Sequence, residues 1–414
     1  MQSPGPWEGA PACGSAPSLR PFGRGRPVSP FTLGTMRALD SPDQMAAVLE
    51  AAVAAGIRHV ETAPAYGPAE TFLAEALERL AARDPAGRAA LVLTSKLLPG
   101  PCLEEGKAQL TALLRRLAIP RLDNLAVHGL NTAEHLRWAL RGAGRELLVW
   151  AEGEGLVGQV GFSSHGSAEL IEEALASGRF GFCSLHLHLF DPERLPLAQA
   201  ALAAGLGVMA ISPADKGGRL YDPPPELVAD CAPFHPLELA YRFLLDQGIS
   251  TLTLGAAQPA DLAWAAALRA DPEAAAEERG GSPPTAAGSP QARCHWLGPQ
   301  HRAALERLAA AGRTRLGAGR CGQCRQCLPC PNEVPIPTLL RLRNLAVGHG
   351  MQPFASERYS LIGRAGHWWE QVDASACGGC GDCLPRCPLA LPIPELLADT
   401  HRRLAASPRR RLWG

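Results

Sequence analysis

Eight cysteines stand in two regular runs in the last hundred or so residues of the chain. The first run reads CGQCRQCLPCP and the second reads CGGCGDCLPRCP. The runs supply Cys321, Cys324, Cys327 and Cys330, and then Cys377, Cys380, Cys383 and Cys387. Three thiolates at three-residue spacing can hold three corners of an iron–sulfur cubane, and a fourth cysteine followed by proline typically ligates the other cluster. The spacing therefore predicts two [4Fe–4S] clusters.

The predicted ligand sets are crossed between the runs. Site A comprises Cys321, Cys324, Cys327 and Cys387, and site B comprises Cys330, Cys377, Cys380 and Cys383. The first run departs from the usual spacing, because two residues rather than three precede its last cysteine. Structural zinc is the main alternative, but zinc sites use separated C-x2-C pairs. Disulfides are the other alternative, which the regular spacing and the following prolines disfavour. Two clusters of this kind would move electrons one at a time.

Length, charge and cysteine usage limit the class of protein. The chain has 414 residues, enough for one large domain and a small one. Its 40 basic and 40 acidic residues balance, so no charge excess points to nucleic acid or an anionic membrane. No apolar run approaches the ~20 residues that span a bilayer, and the start lacks a signal-peptide pattern. Thirteen cysteines, eight of them in the predicted sites, fit a reducing compartment. We expect a cytoplasmic protein.

Short apolar runs alternate with Ala- and Leu-rich segments through the first two thirds of the chain. The predicted strands are FTLGTM (31–36), IRHVET (57–62), ALVLTSK (90–96), LDNLAVH (122–128), LVGQVGF (156–162), FCSLHLH (182–188), GVMAIS (207–212) and STLTLG (250–255). The predicted helices between them are 42–55, 69–82, 103–117, 133–152, 167–177, 192–204 and 236–247. Eight strands separated by helices predict an α/β fold, a (β/α)8 TIM barrel. A doubly wound sheet is the alternative, but no G-x-G-x-x-G follows the first strand.

The composition along the chain suggests five segments. Residues 1–27 are rich in Pro, Gly and Ser and read as a disordered leader. The barrel is assigned to 28–269 and a low-complexity linker to 270–297. Residues 298–400, with predicted helices at 300–311, 338–346 and 357–363, read as a small α-helical dicluster ferredoxin-like domain. Residues 401–414 read as a basic tail.

Four residues that can move protons fall at the ends of adjacent predicted strands. Glu61 ends the second strand and Tyr66 lies in the loop that follows, while Lys96 ends the third strand and His128 the fourth. In a barrel the C-terminal strand ends meet at one face, so these side chains can converge. An ammonium beside a phenol favours phenolate and lowers the phenol's pKa, and a carboxylate can orient the ammonium. Taken singly, each residue is more often structural, and a buried Lys–Glu pair can simply stabilise a fold.

The sequence around these four residues resembles a known family. GIRHVETAPAYGPAE (56–70), LTSK (93–96) and LDNLAVHG (122–129) are similar to the aldo/keto reductase signature, and most of all to the branch with a C-terminal 4Fe–4S ferredoxin domain. The resemblance implies that Tyr66 is the general acid, that Lys96 modulates its pKa and that His128 orients the carbonyl. Glu61 stands where the family has aspartate.

The resemblance also implies a nicotinamide nucleotide, NADP or NAD. VGFSSHG (160–166) is similar to the segment whose Ser and Asn hold the carboxamide, with Ser163 matching and Ser164 in place of Asn. SPADKGGRL (212–220) is similar to the loop over the pyrophosphate, and LGAAQPADLAWAAAL (254–268) to the segment at the adenosine phosphate. The implied contacts in these two segments are Ser212, Pro213, Gly218, Gly255, Ala256 and Gln258. Trp264 and Ala265 replace the usual Glu-Asn pair at adenine.

Two functions remain open on the sequence. The first is an oxidoreductase that transfers hydride between NAD(P)H and a small carbonyl or alcohol, with the clusters relaying electrons to or from a redox protein partner. A nicotinamide moves two electrons together and a cluster moves one, so this function needs a mediator such as flavin. No flavin motif is present. The alternative is an electron-transfer or iron–sulfur scaffold whose barrel is a non-catalytic docking or sensing module.

Overall fold

The computed structural model describes residues 19–214, 216, 218–268, 296–364 and 370–405. Eight strands form a closed parallel barrel in the order β1 to β8, with β1 paired to β8. The strands are β1 (Phe31–Gly34), β2 (His59–Glu61), β3 (Val92–Leu97), β4 (Leu122–Val127), β5 (Val157–Ser164), β6 (Phe182–Leu185), β7 (Gly207–Ala210) and β8 (Thr251–Gly255). Each strand lies inside, or within two residues of, the run that predicted it. The predicted TIM barrel is confirmed.

Helices connect the strands. They are α1 (Pro42–Ala54), α2 (Ala69–Arg83), α3 (Pro85–Ala90), α4 (Leu103–Arg116), α5 (Ala133–Arg141), α6 (Ala143–Gly153), α7 (Ala168–Ala176), α8 (Leu195–Ala203), α9 (Pro225–Cys231), α10 (Pro236–Asp246) and α11 (Ala263–Ala267). The single helix expected over 133–152 is two, because Gly142 has an extended backbone and separates α5 from α6. The Ser41 side chain caps α1 by accepting the N–H of Gln44 at 3.1 Å.

The first described residues depart from the disordered leader expected over 1–27. Arg20 forms an antiparallel bridge with Val28. The Phe22 ring is 1% exposed and packs on Phe182 and His59, with ring centroids 5.0 and 5.3 Å away. Residues 19–27 are therefore part of the barrel's packing, since a single buried aromatic supplies the apolar area that the segment's composition lacks. Residues 1–18 lie outside the described part of the chain.

A buried polar network lies inside the barrel at the level of these aromatic contacts. The His59 ring bonds the hydroxyls of Thr32 and Thr94, each at 2.7 Å. Asn124 donates to the Thr94 hydroxyl at 3.0 Å, and Gln159 donates to Asn124 at 2.8 Å. All five side chains are at most 1% exposed. Because the members satisfy one another, the network fixes the strands that carry the candidate site.

The described residues divide into two compact units that do not follow the predicted domain boundaries. The first unit holds the barrel strands. The second contains the C-terminal region from Leu297 together with 188–193 and 214–240, the segments that follow β6 and β7. Both segments lie within 28–269, the range expected for the barrel domain. The predicted linker, 270–297, lies outside the described residues apart from Trp296 and Leu297, which are buried.

The second unit is helical. Its C-terminal helices are α12 (Pro299–Leu316), α13 (Ile336–His349), α14 (Gln352–Ser360) and α15 (Ile393–Leu404). Within this unit Arg341 on α13 pairs with Asp191 at 3.3 Å, and Arg219 pairs with Glu357 on α14. The basic tail expected from 401 begins inside α15, and residues 406–414 lie outside the described part of the chain. In the described ranges no helix is both long and apolar enough to cross a membrane.

Candidate active site

The four proton-moving residues come from three adjacent strands of the barrel. Glu61 is the last residue of β2, Lys96 lies near the end of β3, and His128 directly follows β4. Tyr66 lies in the loop between β2 and α2. The pairing of β2 with β3 and of β3 with β4 brings the strand ends side by side.

The structure brings all four side chains together. Lys96 Nζ forms an ion pair with Glu61 Oε1, and both side chains are 4% exposed. The same Nζ donates to the Tyr66 hydroxyl at 2.5 Å, and that hydroxyl donates to Glu61 at 3.3 Å. The rings of Tyr66 and His128 meet edge to face, with centroids 6.0 Å apart. Glutamate at position 61 therefore still contacts both the lysine and the tyrosine.

Burial sets the protonation of the site. It raises the pKa of Tyr66 above its usual value, whereas the sequence led us to expect that Lys96 would lower it. The reason is that burial takes the phenol out of water and disfavours the charged phenolate. Burial, with a smaller contribution from Lys96, lowers the pKa of His128 to about 3. At neutral pH the site thus presents a protonated phenol and a neutral imidazole.

Such a set can donate a proton to an oxygen that gains negative charge. The Tyr66 hydroxyl carries the proton, and the Lys96 ammonium beside it stabilises the phenolate left behind. Neutral His128 can donate a hydrogen bond to the same oxygen without competing as an acid. This is the chemistry of carbonyl reduction.

The two serines at the end of β5 are held by the β4–α5 loop. Ser163 Oγ accepts the N–H of Gly129 at 3.0 Å, and its own proton is not used in that bond. Ser164 is fully buried; its Oγ donates to the carbonyl of Leu130 at 2.6 Å and accepts the N–H of Gly166 at 2.9 Å. Ser164 is thus engaged with the main chain, whereas Ser163 keeps a donor.

A residue that the sequence analysis missed lies beside these serines. Asn131 Oδ1 accepts the N–H of His165, the residue after Ser164, at 2.7 Å. Its Nδ2 is buried and has no hydrogen-bond partner in the described part of the chain. An unsatisfied buried amide is unusual and calls for a ligand or another explanation. Asn131 precedes a helix N-cap in the sequence, so nothing in the pattern marked it as more than a loop residue.

In the loop after β8, the carboxylate of Asp261 accepts hydrogen bonds from main-chain amides of the same loop. Asp261 Oδ2 accepts the N–H of Ala257 at 2.8 Å and of Gln258 at 3.2 Å, in the segment that the resemblance places at the adenosine phosphate. Gln258 is exposed and Ala256 is fully buried. The Arg37 side chain lies against Gly255, where an added Cβ would come within 3.1 Å of Nε. Arg37 follows β1, so a search of the 255–263 segment alone could not find this cation.

The predicted contacts after β7 fall in two different units. Ser212, with φ +51°, and buried Pro213 belong to the barrel unit. Gly218 belongs to the second unit, where a Cβ on it would lie 2.9 Å from the Met351 sulfur. The contact role of Gly218 stays a prediction.

Within the second unit, the cysteines of site A surround one cavity. Its lining includes Cys321, Cys324, Cys327 and Cys387, drawn from both runs. Burial raises the pKa of Cys321, and the nearby Cys324 and Cys387 raise it further. Four thiols converging on a cavity fit the donor set of a [4Fe–4S] cluster.

The cysteines of site B also lie near one another. Burial raises the pKa of Cys383, and its neighbours Cys377, Cys380 and Cys330 add to the rise. Across the described ranges, no group of three or more His, Cys, Asp or Glu side chains is arranged to hold a single metal ion. The ligand roles of both sets stay a prediction.

Comparison with known proteins identifies the barrel. Residues 30–224 match the aldo/keto reductase family. The barrel is similar to aldo-keto reductase AKR11C1 of Bacillus halodurans, at 20% identity over 62% of this chain and 92% of that one, with a TM-score of 0.51. It is also similar to a Bombyx mori aldo-keto reductase in complex with NADP, at 20% identity over 61% and 88%, with a TM-score of 0.50. No curated protein sequence matches the chain.

At this level of identity the solved structures establish the fold. The match to the family covers just under half of the chain. The family match supports the predicted oxidoreductase of aldo/keto reductase type.

Proposed function

We propose that this aldo/keto-reductase-type protein reduces a small carbonyl compound, or oxidises the corresponding alcohol, at the C-terminal end of its barrel. The observation that carries the proposal is the position of the Tyr66 hydroxyl. It contacts Lys96 at 2.5 Å and Glu61 at 3.3 Å, beside His128. An acid, a cation and a neutral hydrogen-bond donor are the groups that carbonyl reduction requires.

The chain's own residues manage the proton. A bound nicotinamide nucleotide would supply the hydride. Tyr66 donates its proton to the carbonyl oxygen as negative charge develops there, and Lys96 stabilises the phenolate. Glu61 holds the Lys96 ammonium in place. His128, neutral because burial holds its pKa near 3, orients the carbonyl by hydrogen bonding.

The buried donors at the ends of β4 and β5 support a site for the carboxamide of the nucleotide. Ser164 stands in place of the family's asparagine, and its hydroxyl is used by the main chain. Asn131 lies in the same loop as His128 and Gly129. Its side-chain amide supplies a buried hydrogen-bond donor of the kind that the family's asparagine would provide. We assign to Asn131 and Ser163 the recognition of the carboxamide.

The loop after β8 bears on the choice between NADH and NADPH. The Asp261 carboxylate occupies the amides of Ala257 and Gln258, and a further phosphate placed there would meet its negative charge. Arg37 is the compensating cation, against Gly255. The balance favours NADH over NADPH, which has the extra 2′-phosphate.

Two exposed apolar side chains bear on the substrate. Met36 follows β1 and is 53% exposed, and Leu98 follows β3 two residues after Lys96 and is 51% exposed. Both come from connections at the C-terminal end of the barrel. Apolar groups at this place suit a carbonyl compound with a hydrophobic body, such as an aromatic aldehyde or a quinone.

The C-terminal unit adds the proposed electron-transfer part. Sites A and B would hold two [4Fe–4S] clusters in an α-helical ferredoxin-like arrangement and exchange single electrons with a redox protein partner. Four cysteines from both runs around one cavity support site A. Anaerobic purification should give about eight iron and eight sulfide per chain. Cys387→Ala should lose about half of the iron, whereas Cys102→Ala, at an exposed cysteine outside both sites, should lose none. Stoichiometric zinc without iron would refute this part.

The reductase part is tested by nucleotide binding. Titration calorimetry with NADH and NADPH should show binding of at least one nucleotide. Asn131→Asp keeps the acceptor for the His165 N–H but removes the donor, so it should weaken nucleotide binding by about tenfold, the effect of one lost hydrogen bond in a buried site. Ser177→Ala is the control. Ser177 directly follows α7, outside the predicted nucleotide contacts, so this variant should bind the nucleotide as the wild type does.

A second candidate function is favoured because several hydrogen-bonding groups in the expected nucleotide segments are already bonded to other groups of the chain. Ser164 and the amides of Ala257 and Gln258 are all bonded within the chain. An iron–sulfur scaffold with a non-catalytic barrel would need none of them. If neither NADH nor NADPH binds at millimolar concentration, the scaffold becomes the better account.

A further inference from the structure

The two cysteine loops have left-handed backbone at the same two positions but carry different side chains there. Between its first cysteines the first loop reads CGQCRQC and the second reads CGGCGDC. Gln323 has φ +61° and its counterpart Gly379 has φ +70°. Arg325 has φ +61° and its counterpart Gly381 has φ +81°. The two loops therefore share left-handed backbone at these two positions, and glycine is replaced only in the first.

Left-handed backbone is unfavourable for residues with a Cβ and easy for glycine. The second loop follows this rule at both positions. The first loop holds glutamine and arginine in the strained conformation. Strained residues of this kind persist where surrounding structure or function requires the side chain. The side chain of Gln323 has to be accounted for.

The Gln323 amide is buried beside the thiol of Cys321. Neither its Nε2 nor its Oε1 has a regular hydrogen-bond partner in the described part of the chain. Gln323 lies between the site A ligands Cys321 and Cys324 in the chain, and its backbone and side-chain amides are near the Cys321 sulfur. Asn344 also holds the same cysteine by donating to its carbonyl at 2.8 Å. The amide thus lies where it can donate to the sulfur of site A.

We propose that Gln323 gives the cluster of site A a higher reduction potential than that of site B. The inference rests on the two-cluster part of the proposed function. A donor to a cluster sulfur stabilises the extra negative charge of the reduced state, and such hydrogen bonds are among the factors that set cluster potentials. Gly379 offers site B no side chain. Electrons entering the unit therefore collect at site A.

Arg325 acts in the same direction. Its side chain lines the cavity of site A and is held in an ion pair by Glu193 within the same unit. The counterpart in the second loop is Gly381. Because Glu193 offsets part of the charge, Gln323 is the better target for an experiment.

The experiment compares reduction potentials in the full-length protein. Anaerobically purified wild type is first assayed for iron and sulfide, then titrated with dithionite while each cluster is followed by electron paramagnetic resonance. At equilibrium, the ratio of reduced to oxidised cluster should be at least tenfold higher at site A than at site B. This ratio corresponds to a difference in reduction potential of about 59 mV for a one-electron couple. Gln323→Gly copies the second loop and relieves the strained backbone, so it should fold. Gln323→Leu keeps the bulk and removes the amide.

Gln323→Gly and Gln323→Leu should both lower the reduction potential of site A, the higher one, and leave that of site B unchanged. Gly379→Gln should raise the lower potential, since a Cβ at Gly379 meets nothing within 4 Å. Gln326→Ala, at an exposed amide in the same loop, is the matched control and should shift neither potential. Unchanged potentials in Gln323→Gly and Gln323→Leu at full iron content would overturn this inference alone. A wild type without iron would instead overturn the cluster proposal on which it rests.

Discussion

Lys96 Nζ lies 2.5 Å from the hydroxyl of Tyr66 and is also ion-paired to Glu61. The lysine therefore has two roles that can be separated. It neutralises a buried carboxylate, and it stabilises a phenolate once Tyr66 has given up its proton. The first role concerns the stability of the barrel and the second concerns the rate of reaction.

Replacement of Lys96 by methionine should affect both. Lys96→Met leaves the Glu61 carboxylate buried without its cation and should lower the free energy of unfolding by about 3–5 kcal/mol. The double variant with Glu61→Gln should recover much of that loss, as measured by urea unfolding. Turnover should stay at least about 100-fold below wild type in both, because the cation is absent. A double variant as unstable as the single one would show that the ion pair is not the cause.

The carboxylate after β8 predicts a change in nucleotide preference. Asp261→Asn keeps the shape of the cap on the Ala257 and Gln258 amides and removes its charge. The ratio of the Kd for NADPH to that for NADH should fall about fivefold, the effect of one unit charge in a solvated site, about 1 kcal/mol. Glu154→Gln, between α6 and β5 at the other end of the strands, should leave the ratio unchanged. A ratio unaffected by Asp261→Asn would place the extra phosphate elsewhere.

The buried His59 predicts how stability depends on pH. Burial lowers the pKa of His59 to about 3 in the folded protein, against about 6.5 when unfolded. Below pH 6.5 the unfolded chain binds a proton that the folded chain does not. The His59 contribution is therefore complete above pH 6.5 and is lost toward pH 3, by up to about 1.4 kcal/mol per pH unit.

Urea unfolding at pH 7, 6 and 5 measures this dependence. His59→Gln retains hydrogen bonding toward Thr32 and Thr94 but cannot take up the proton, so its stability should fall less steeply over that range. His135→Gln, at a partly buried histidine on α5, should keep the wild-type slope. Parallel curves for wild type and His59→Gln would contradict the prediction.

The packing of Phe22 predicts that the N-terminal segment stabilises the barrel. Phe22→Ala should lower the free energy of unfolding by about 3–5 kcal/mol, because the ring is 1% exposed against Phe182 and His59. Leu19→Ala, at a side chain 55% exposed, should change it by less than about 0.5 kcal/mol. Equal, small effects would mean that the segment is dispensable, as the sequence first suggested.

The barrel could be predicted because its signals are local. Each strand is a short apolar run, and Ser41 caps α1 with the residue type that the position favours. Glu61, Lys96 and His128 could be predicted because strand ends in a barrel share one face. Phe22 was missed because one aromatic in a Pro- and Gly-rich segment forms no periodic pattern.

The parts that were missed depend on contacts between distant segments. Asn131 is significant only because its oxygen is taken by His165 and its nitrogen is buried, which no spacing encodes. Asp261 is significant only because its carboxylate accepts the Ala257 and Gln258 amides, a contact that the residue types do not indicate. The raised pKa of Tyr66 reflects the burial of its hydroxyl, which residue types alone do not give.

The most direct test of the central claim is the turnover of Tyr66→Phe with NADH or NADPH and a panel of small aldehydes and quinones. Phenylalanine keeps the ring beside His128 and removes only the proton donor. The account predicts that turnover falls at least about 100-fold while nucleotide affinity stays within about twofold, because the interaction exists only in the transition state. Wild-type turnover in Tyr66→Phe, on any carbonyl compound that the protein reduces, would contradict the proposed reductase mechanism.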